Sequence, residues 1–233
     1  MKKLVPLGLL SLILGTLVLV IPDTAKAQSA GLVSSVLNRM EKNRASLKSL
    51  RAGLSMEKYN AQLRDAERYD GVVVYVPGAG RDASVRIEWR SPQHEILAVS
   101  NGSFTLFRPR LKQAYRGKSN NPKVNKNTGS LMELMYMSRQ QLESKFQPVK
   151  DVREETLWGG VSTIHLTLVP KGNASFKYAE IWVDSSGMPV QTKIVEKNDD
   201  ATTMRLRDLQ KNVRVSGDEF QLKLDSDVKI IKS

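Results

Sequence analysis

The sequence predicts a mainly β protein with two helices, its ten or eleven strands paired antiparallel in one large curved sheet or barrel. Three observations predict it. Short runs of alternating apolar and polar residues recur along the chain. Turn residues separate them at intervals of roughly 8–12 residues, which suits consecutive hairpins. Only two stretches carry the three-to-four residue apolar spacing of a helix.

The 233 residues open with a basic start, Met1-Lys2-Lys3, and an apolar run from Leu4 to Ile21. Ala25-x-Ala27 follows as a small-x-small cleavage site, the layout of a secretory signal peptide over 1–27. An uncleaved anchor is the alternative reading, since the run is long for a signal. The processed chain, 28–233, is expected to be one domain, without internal repeat or linker.

The first helix is predicted from Leu32, Val33, Val36, Leu37 and Met40, which form one stripe ending near Ser46–Ser49. Ala52, Leu54 and Met56 alternate as a first strand. Gly71 opens the unbroken run Val72–Val76, closed by Pro77-Gly78, as a strand covered on both faces or bordering a cavity. Val85, Ile87 and Trp89 alternate with Arg86, Glu88 and Arg90 until Ser91-Pro92. Glu95–Ser100 and Ser103–Arg108 flank Asn101-Gly102, a two-residue hairpin signal. A strand over Lys112–Arg116 follows. Residues 116–130 are almost devoid of apolar side chains and read as a mobile loop. Leu131, Leu134, Met135, Ser138, Leu142 and Phe146 form the second helix, widened by Met132 and Met137. Further strands are predicted over Val161–Val169, Lys177–Asp184, Met188–Lys197, Thr202–Leu209, Asn212–Val215, Phe220–Leu224 and Val228–Ile231.

Composition narrows the function. There is no cysteine and only two histidines, His94 and His165, so thiol chemistry, disulfides and multi-histidine metal sites are disfavoured. The acids Asp151, Glu154, Glu155, Asp199 and Asp200 sit among basic residues and read as solvated loop positions. No nucleophile elbow, phosphate loop or zinc-helix motif occurs, and no cofactor or metal is expected. The net charge is +12, and the processed chain keeps 33 basic and 23 acidic residues. For an exported protein this favours anionic lipid head groups or acidic proteins over nucleic acid, or else simply a solvated surface. The methionine-rich second helix suits either an irregular core or a surface that repacks around apolar ligands.

The order of these pieces resembles the periplasmic outer-membrane lipoprotein carrier family, the LolA-type lipoprotein-sorting proteins. Leu47–Ala52 is similar to the family's step from helix to first strand. Gly71 with Pro77, Val85-Arg86-Ile87-Glu88-Trp89 with Pro92, and Val99-Ser100-Asn101-Gly102 are similar to its next strands and hairpin. Phe107-x-Pro109 with Gln113 resembles its step toward the central helix, and Asn212 with Phe220-Gln221-Leu222 its closing strands. One position departs: the family's strand carries an arginine before that first proline, pairing with the lid, and here the place is Val76.

The resemblance implies an unclosed antiparallel half-barrel with helices as a lid over an apolar cavity, and a non-catalytic monomer. It implies a carrier that takes lipid-modified proteins from an inner-membrane release complex, touches membrane surfaces transiently and passes cargo to an outer-membrane acceptor. Within it, the acyl-chain lining is expected to include Val72, Val74, Ile87, Trp89, Leu97, Phe104, Leu106, Leu134, Met135, Ile181 and Trp182. Only one of Ile181 and Trp182 can face a cavity, because a one-residue register change inverts a strand. A lipid-sensing or lipid-transport module acting through a protein partner is the alternative, and a lipid-directed enzyme a third.

Overall fold

The computed structural model describes residues 24–78, 83–119, 133–149 and 151–232. Most of the expected signal segment and most of the loop after Arg116 lie outside these residues. A long helix α1 (Thr24–Ser46) leads into β1 (Leu50–Asn60), β2 (Asp65–Val76), β3 (Ser84–Ser91), β4 (Glu95–Ser100), β5 (Ser103–Arg108) and β6 (Gln113–Lys118). One helical turn at 133–136 and the short helix α2 (Arg139–Lys145) follow. The chain continues through β7 (Val152–Leu157), β8 (Val161–Leu168), β9 (Phe176–Asp184), β10 (Pro189–Glu196), β11 (Ala201–Lys211) and β12 (Lys229–Lys232).

The twelve strands form one unclosed sheet in the order β12-β6-β5-β4-β3-β2-β1-β11-β10-β9-β8-β7. Two meanders, β1–β6 and β7–β11, are joined by the antiparallel pair β1–β11. Every pairing is antiparallel except β12 with β6. Directly paired residues share a face. Leu54 pairs with Leu206, Met56 with Met204, Val73 with Ile87 and Leu166 with Ile181, so these side chains share a front face. Helix α1 lies on that face through Val36, Leu37 and Met40, which pack with Leu166, Leu168, Ala179, Ile181 and Val183. It approaches the turn after β9 so closely that a Cβ on Gly187 would stand 2.3 Å from the Arg39 carbonyl oxygen.

The remaining strands follow the predicted alternation, and β4 and β5 match their expected bounds. Asn101 and Gly102 take φ of 50° and 69°, as a tight hairpin needs. Four expectations are corrected. The sheet has twelve strands, because Val152–Leu157 pairs with β8 although its acids suggest a loop. β2 begins at Asp65: its charged first half has no apolar period, and the ladder to β1 holds it. The second helix is broken at Ser138, whose extended backbone and side chain cap a new helix through Gln141.

The fourth correction concerns the segment after β11, where Asn212–Val215 and Phe220–Leu224 are not strands. Instead residues 212–228 form a strap over the back face of β1–β5. Asn212 N–H donates to Ser49 O, and Ser49 Oγ donates to Val213 O. A single turn, Gly217–Phe220, is capped by Ser216 and buries Phe220. Glu219 meets Arg51 of β1 at 2.7 Å, and Arg86 of β3 donates to the Glu219 carbonyl. The strap ends as β12 beside β6.

Candidate functional site

Residues 133–146 are fixed to α1 and the front face at several points. Ser138 accepts from the Gln141 amide, and Gln141 accepts from the Ser138 amide in return. The Arg139 amide donates to Glu41 at 3.2 Å, and its guanidinium donates to Asn38 at 2.8 Å. The bond from Arg44, reinforced by that amide, holds the Glu41 carboxyl below its usual range against the opposing effect of burial. Tyr136 stacks on Tyr75 of β2, with ring centroids 3.9 Å apart and planes 5° from parallel. Burial pushes the Tyr75 phenol up to about 12.

At the margin of this packing a cleft of about 450 Å3 opens. Leu134, Met137, Phe146, Ala174, Phe176 and Ile194 are among its apolar lining residues, and Glu133, Ser144, Lys145, Lys171 and Asn173 are its polar lining. The wall is built by two local interactions. Phe146 bridges to Pro170, and Lys171 N–H donates to the Lys145 carbonyl at 2.8 Å. Lys145 pairs with Glu133 at 2.6 Å, while Lys171 Nζ donates to the Glu143 carbonyl. The lining suits an apolar chain with a polar end at the mouth.

The expected lining residues divide by face. Ile87, Trp89, Leu97, Phe104, Leu106 and Ile181 share the front face by register. Met135 joins the apolar cluster over β1–β3, and Leu134 lines the cleft. Val72 and Val74 pair with Glu88 and Arg86 and so lie on the back face. Trp182 pairs with His165 on the back face as well, which leaves Ile181 as the front-facing member of that pair. Of the eleven, only Leu134 lines the 450 Å3 cleft. Met137 and Phe146 carry a signal in the helical spacing. Phe176 and Ile194 sit in ordinary strand runs, and nothing in the sequence marks them.

The titratable groups make pairs. His165 is fully buried, with Nε2 3.1 Å from Glu180 Oε1, and Lys193 Nζ lies 2.9 Å from Glu180 Oε2. The bond to His165 comes first, and with Lys193 it lowers the Glu180 carboxyl to about 2 despite burial. His94 lies 3.3 Å from Glu88, Asp151 2.7 Å from Arg153, and Asp199 against Lys177. Among the described residues no three His, Asp or Glu side chains group as a metal site would require.

The protein is thus an unclosed antiparallel sheet with helices on its front face and an apolar cleft at their margin. Residues 79–223 match the family described as outer membrane lipoprotein carrier protein LolA, and the chain belongs to that family. No curated protein matches it in sequence. Among solved structures, MucB matches with a TM-score of 0.55 at 12% identity, over 86% of this chain and 66% of that one. The Pseudomonas aeruginosa MucA/MucB complex matches at 0.51 and 12%, over 85% of this chain and 62% of that one. An uncharacterized conserved protein from Thermus thermophilus matches at 0.54 and 11%, over 87% and 99%. The chain thus spans less than two thirds of the MucB chains. At these identities the likeness is one of fold.

Proposed function

We propose that this protein is a non-catalytic carrier of the bacterial periplasm, exported by its amino-terminal signal, which shields the acyl chains of lipoproteins and delivers them to the outer membrane. The family match over residues 79–223 carries the reading. The apolar cleft beside 133–146 supports it as the place where a chain is first engaged. Each methylene taken out of water is worth about 0.8 kcal/mol, so free acyl chains aggregate or re-enter a membrane unless they are covered. The front-face residues from Ile87 to Ile181 are the surface onto which a longer chain extends if 133–146 moves aside.

The test is native mass spectrometry of the processed protein from its own envelope, with extraction of lipoprotein from inner-membrane vesicles. A bound lipoprotein mass, lost in Ile194→Asp, is the expected result. A bound free lipid overturns lipoprotein sorting and keeps acyl-chain binding. An empty protein that extracts nothing overturns both.

The fold shared with MucB, solved in complex with MucA, favours a second reading: an envelope lipid-sensing module acting through a protein partner. That reading expects a stable complex with a membrane-anchored protein and no transfer of cargo.

A further inference from the structure

The molecule has three tryptophans, and two of them are buried: Trp89 is 7% and Trp182 6% exposed. Trp158 is 85% exposed. It stands at the tip of the β7–β8 hairpin, in the sequence Leu157-Trp158-Gly159-Gly160-Val161. We propose that this hairpin tip docks the protein on an anionic lipid surface, with the Trp158 indole entering the membrane interface.

The tip is braced and still projects. Gly160 N–H donates to the Leu157 carbonyl at 3.0 Å, and Arg205 of β11 donates to the Trp158 carbonyl. Leu157 is buried beneath the turn. Gly159 and Gly160 take φ of 86° and 78°, and no atom lies within 4 Å of a Cβ built on either. The backbone is therefore held while the ring faces solvent. Val161, 37% exposed, extends the apolar surface next to it.

The surroundings favour negative lipid. Thr163 pairs with Asp184, which sets the tip beside the turn after β9. Around these turns stand Arg205, Arg39, which bonds the Ser185 carbonyl, and Lys211, which bonds Ser186 Oγ. Two of the nearby acids are engaged, Glu155 with Arg153, which also pairs with Asp151, and Asp184 with the Ser186 and Met188 amides, while Glu154 is exposed on the front face of β7. A stable protein interface needs about 800 Å2 from each partner, far more than one indole and a valine offer. A membrane interface needs only an amphipathic ring at the right depth with cations near the head groups. The cleft lies toward the other end of the eight-residue β8, about 26 Å away at ~3.3 Å per residue. Docking thus tethers the protein and leaves the cleft open, whichever cargo it takes.

The experiment uses the processed chain from Gln28 with vesicles of phosphatidylglycerol and phosphatidylethanolamine, against phosphatidylcholine vesicles. Binding to the anionic vesicles, with a blue shift of tryptophan emission, is expected. Trp158→Ala should weaken binding about tenfold or more and abolish the shift, while Trp158→Phe retains part of the binding. Leu63→Ala removes a residue 76% exposed at the β1–β2 turn, at the opposite end of the sheet, and should bind as wild type. Both positions are exposed, so the variants should fold, which circular dichroism verifies. Unchanged binding by Trp158→Ala overturns the proposal. So does equal loss in Leu63→Ala, or an emission shift that appears only with a protein partner.

Discussion

Two apolar clusters share the molecule, and they are built differently. The first holds Leu50, Leu54 and Met56 of β1 with Val73, Ile87, Met204 and Leu206 from the strands alongside. Most of its members sit on strands hydrogen-bonded to each other, so the ladder holds them in place whatever the helices do. The second sets Val36, Leu37, Met40, Leu134, Met137, Leu142 and Phe146 against Leu166, Leu168, Ala179, Ile181 and Val183. Its two sides meet mainly by side-chain contact, with backbone bonds only where 145–147 runs beside 169–171, so helix and sheet can separate without breaking a pair of the twelve-stranded ladder. The cleft opens at this second cluster. The proposed ligand site therefore sits where packing can part, and stability rests where the ladder forbids it.

The sharpest way to break this comparison is to hollow each cluster in turn. Leu54 is fully buried between the β2 and β11 partners. Leu54→Ala should cost about 3–5 kcal/mol in a denaturant titration, near the top of the range for buried leucine. Phe146→Ala should cost less, about 2–3 kcal/mol, because the cleft wall can relax toward Phe176. Hydrogen exchange separates them further. Phe146→Ala should speed exchange at 133–146 and leave β1 protected. Faster exchange in β1 as well would mean the clusters open as one unit.

A third expectation concerns the polar patch behind the second cluster. Glu180 is the shared carboxylate of His165 and Lys193, and its side chain is 13% exposed. Its folded pKa of about 2 lies below the ordinary 4.5, so its contribution is complete above pH 4.5 and is lost as pH falls toward 2. That gap corresponds to roughly 3 kcal/mol. Glu180→Gln should lower stability at pH 7 by about 2 kcal/mol and flatten the acid slope between pH 4.5 and 2. An unaltered slope would show that other carboxylates govern acid unfolding.

The same contrast explains what the sequence discloses. Strands of the first cluster alternate because one face is dry, and β3, β4 and β5 can be read residue by residue. The first half of β2 and all of β7 escape, since both are charged and paired edge to edge, leaving no apolar period. The break at Ser138 is signalled by Ser138-x-x-Gln141, yet the apolar stripe runs through it and reads as one helix. The strap is harder: Phe220-Gln221-Leu222 looks like a strand, but its apolar member plugs the back face from a single turn. The site is less legible than the fold. Val72 and Val74 are as apolar as Val73, and only the register with β3 shows which way each points.

The smallest effect tests the joint between the two clusters. Tyr136 packs on the first cluster through Tyr75, while its neighbours Leu134 and Met137 belong to the second. Burial, with the neighbouring Tyr75, pushes the Tyr136 phenol well above 10, and its hydroxyl has no hydrogen-bond partner among the described residues. A buried hydroxyl without a partner costs about 1–3 kcal/mol, part of which is returned when it is removed. Tyr136→Phe keeps the stacked ring and discards the hydroxyl, so stability should hold or rise by up to about 1 kcal/mol. Exchange at 133–146 should not change. A loss above about 1 kcal/mol would reveal a partner for the hydroxyl and make Tyr136 a polar latch, in the role that Val76 cannot fill. A neutral result makes the joint a purely aromatic contact, which an acyl chain could displace by offering apolar surface of its own.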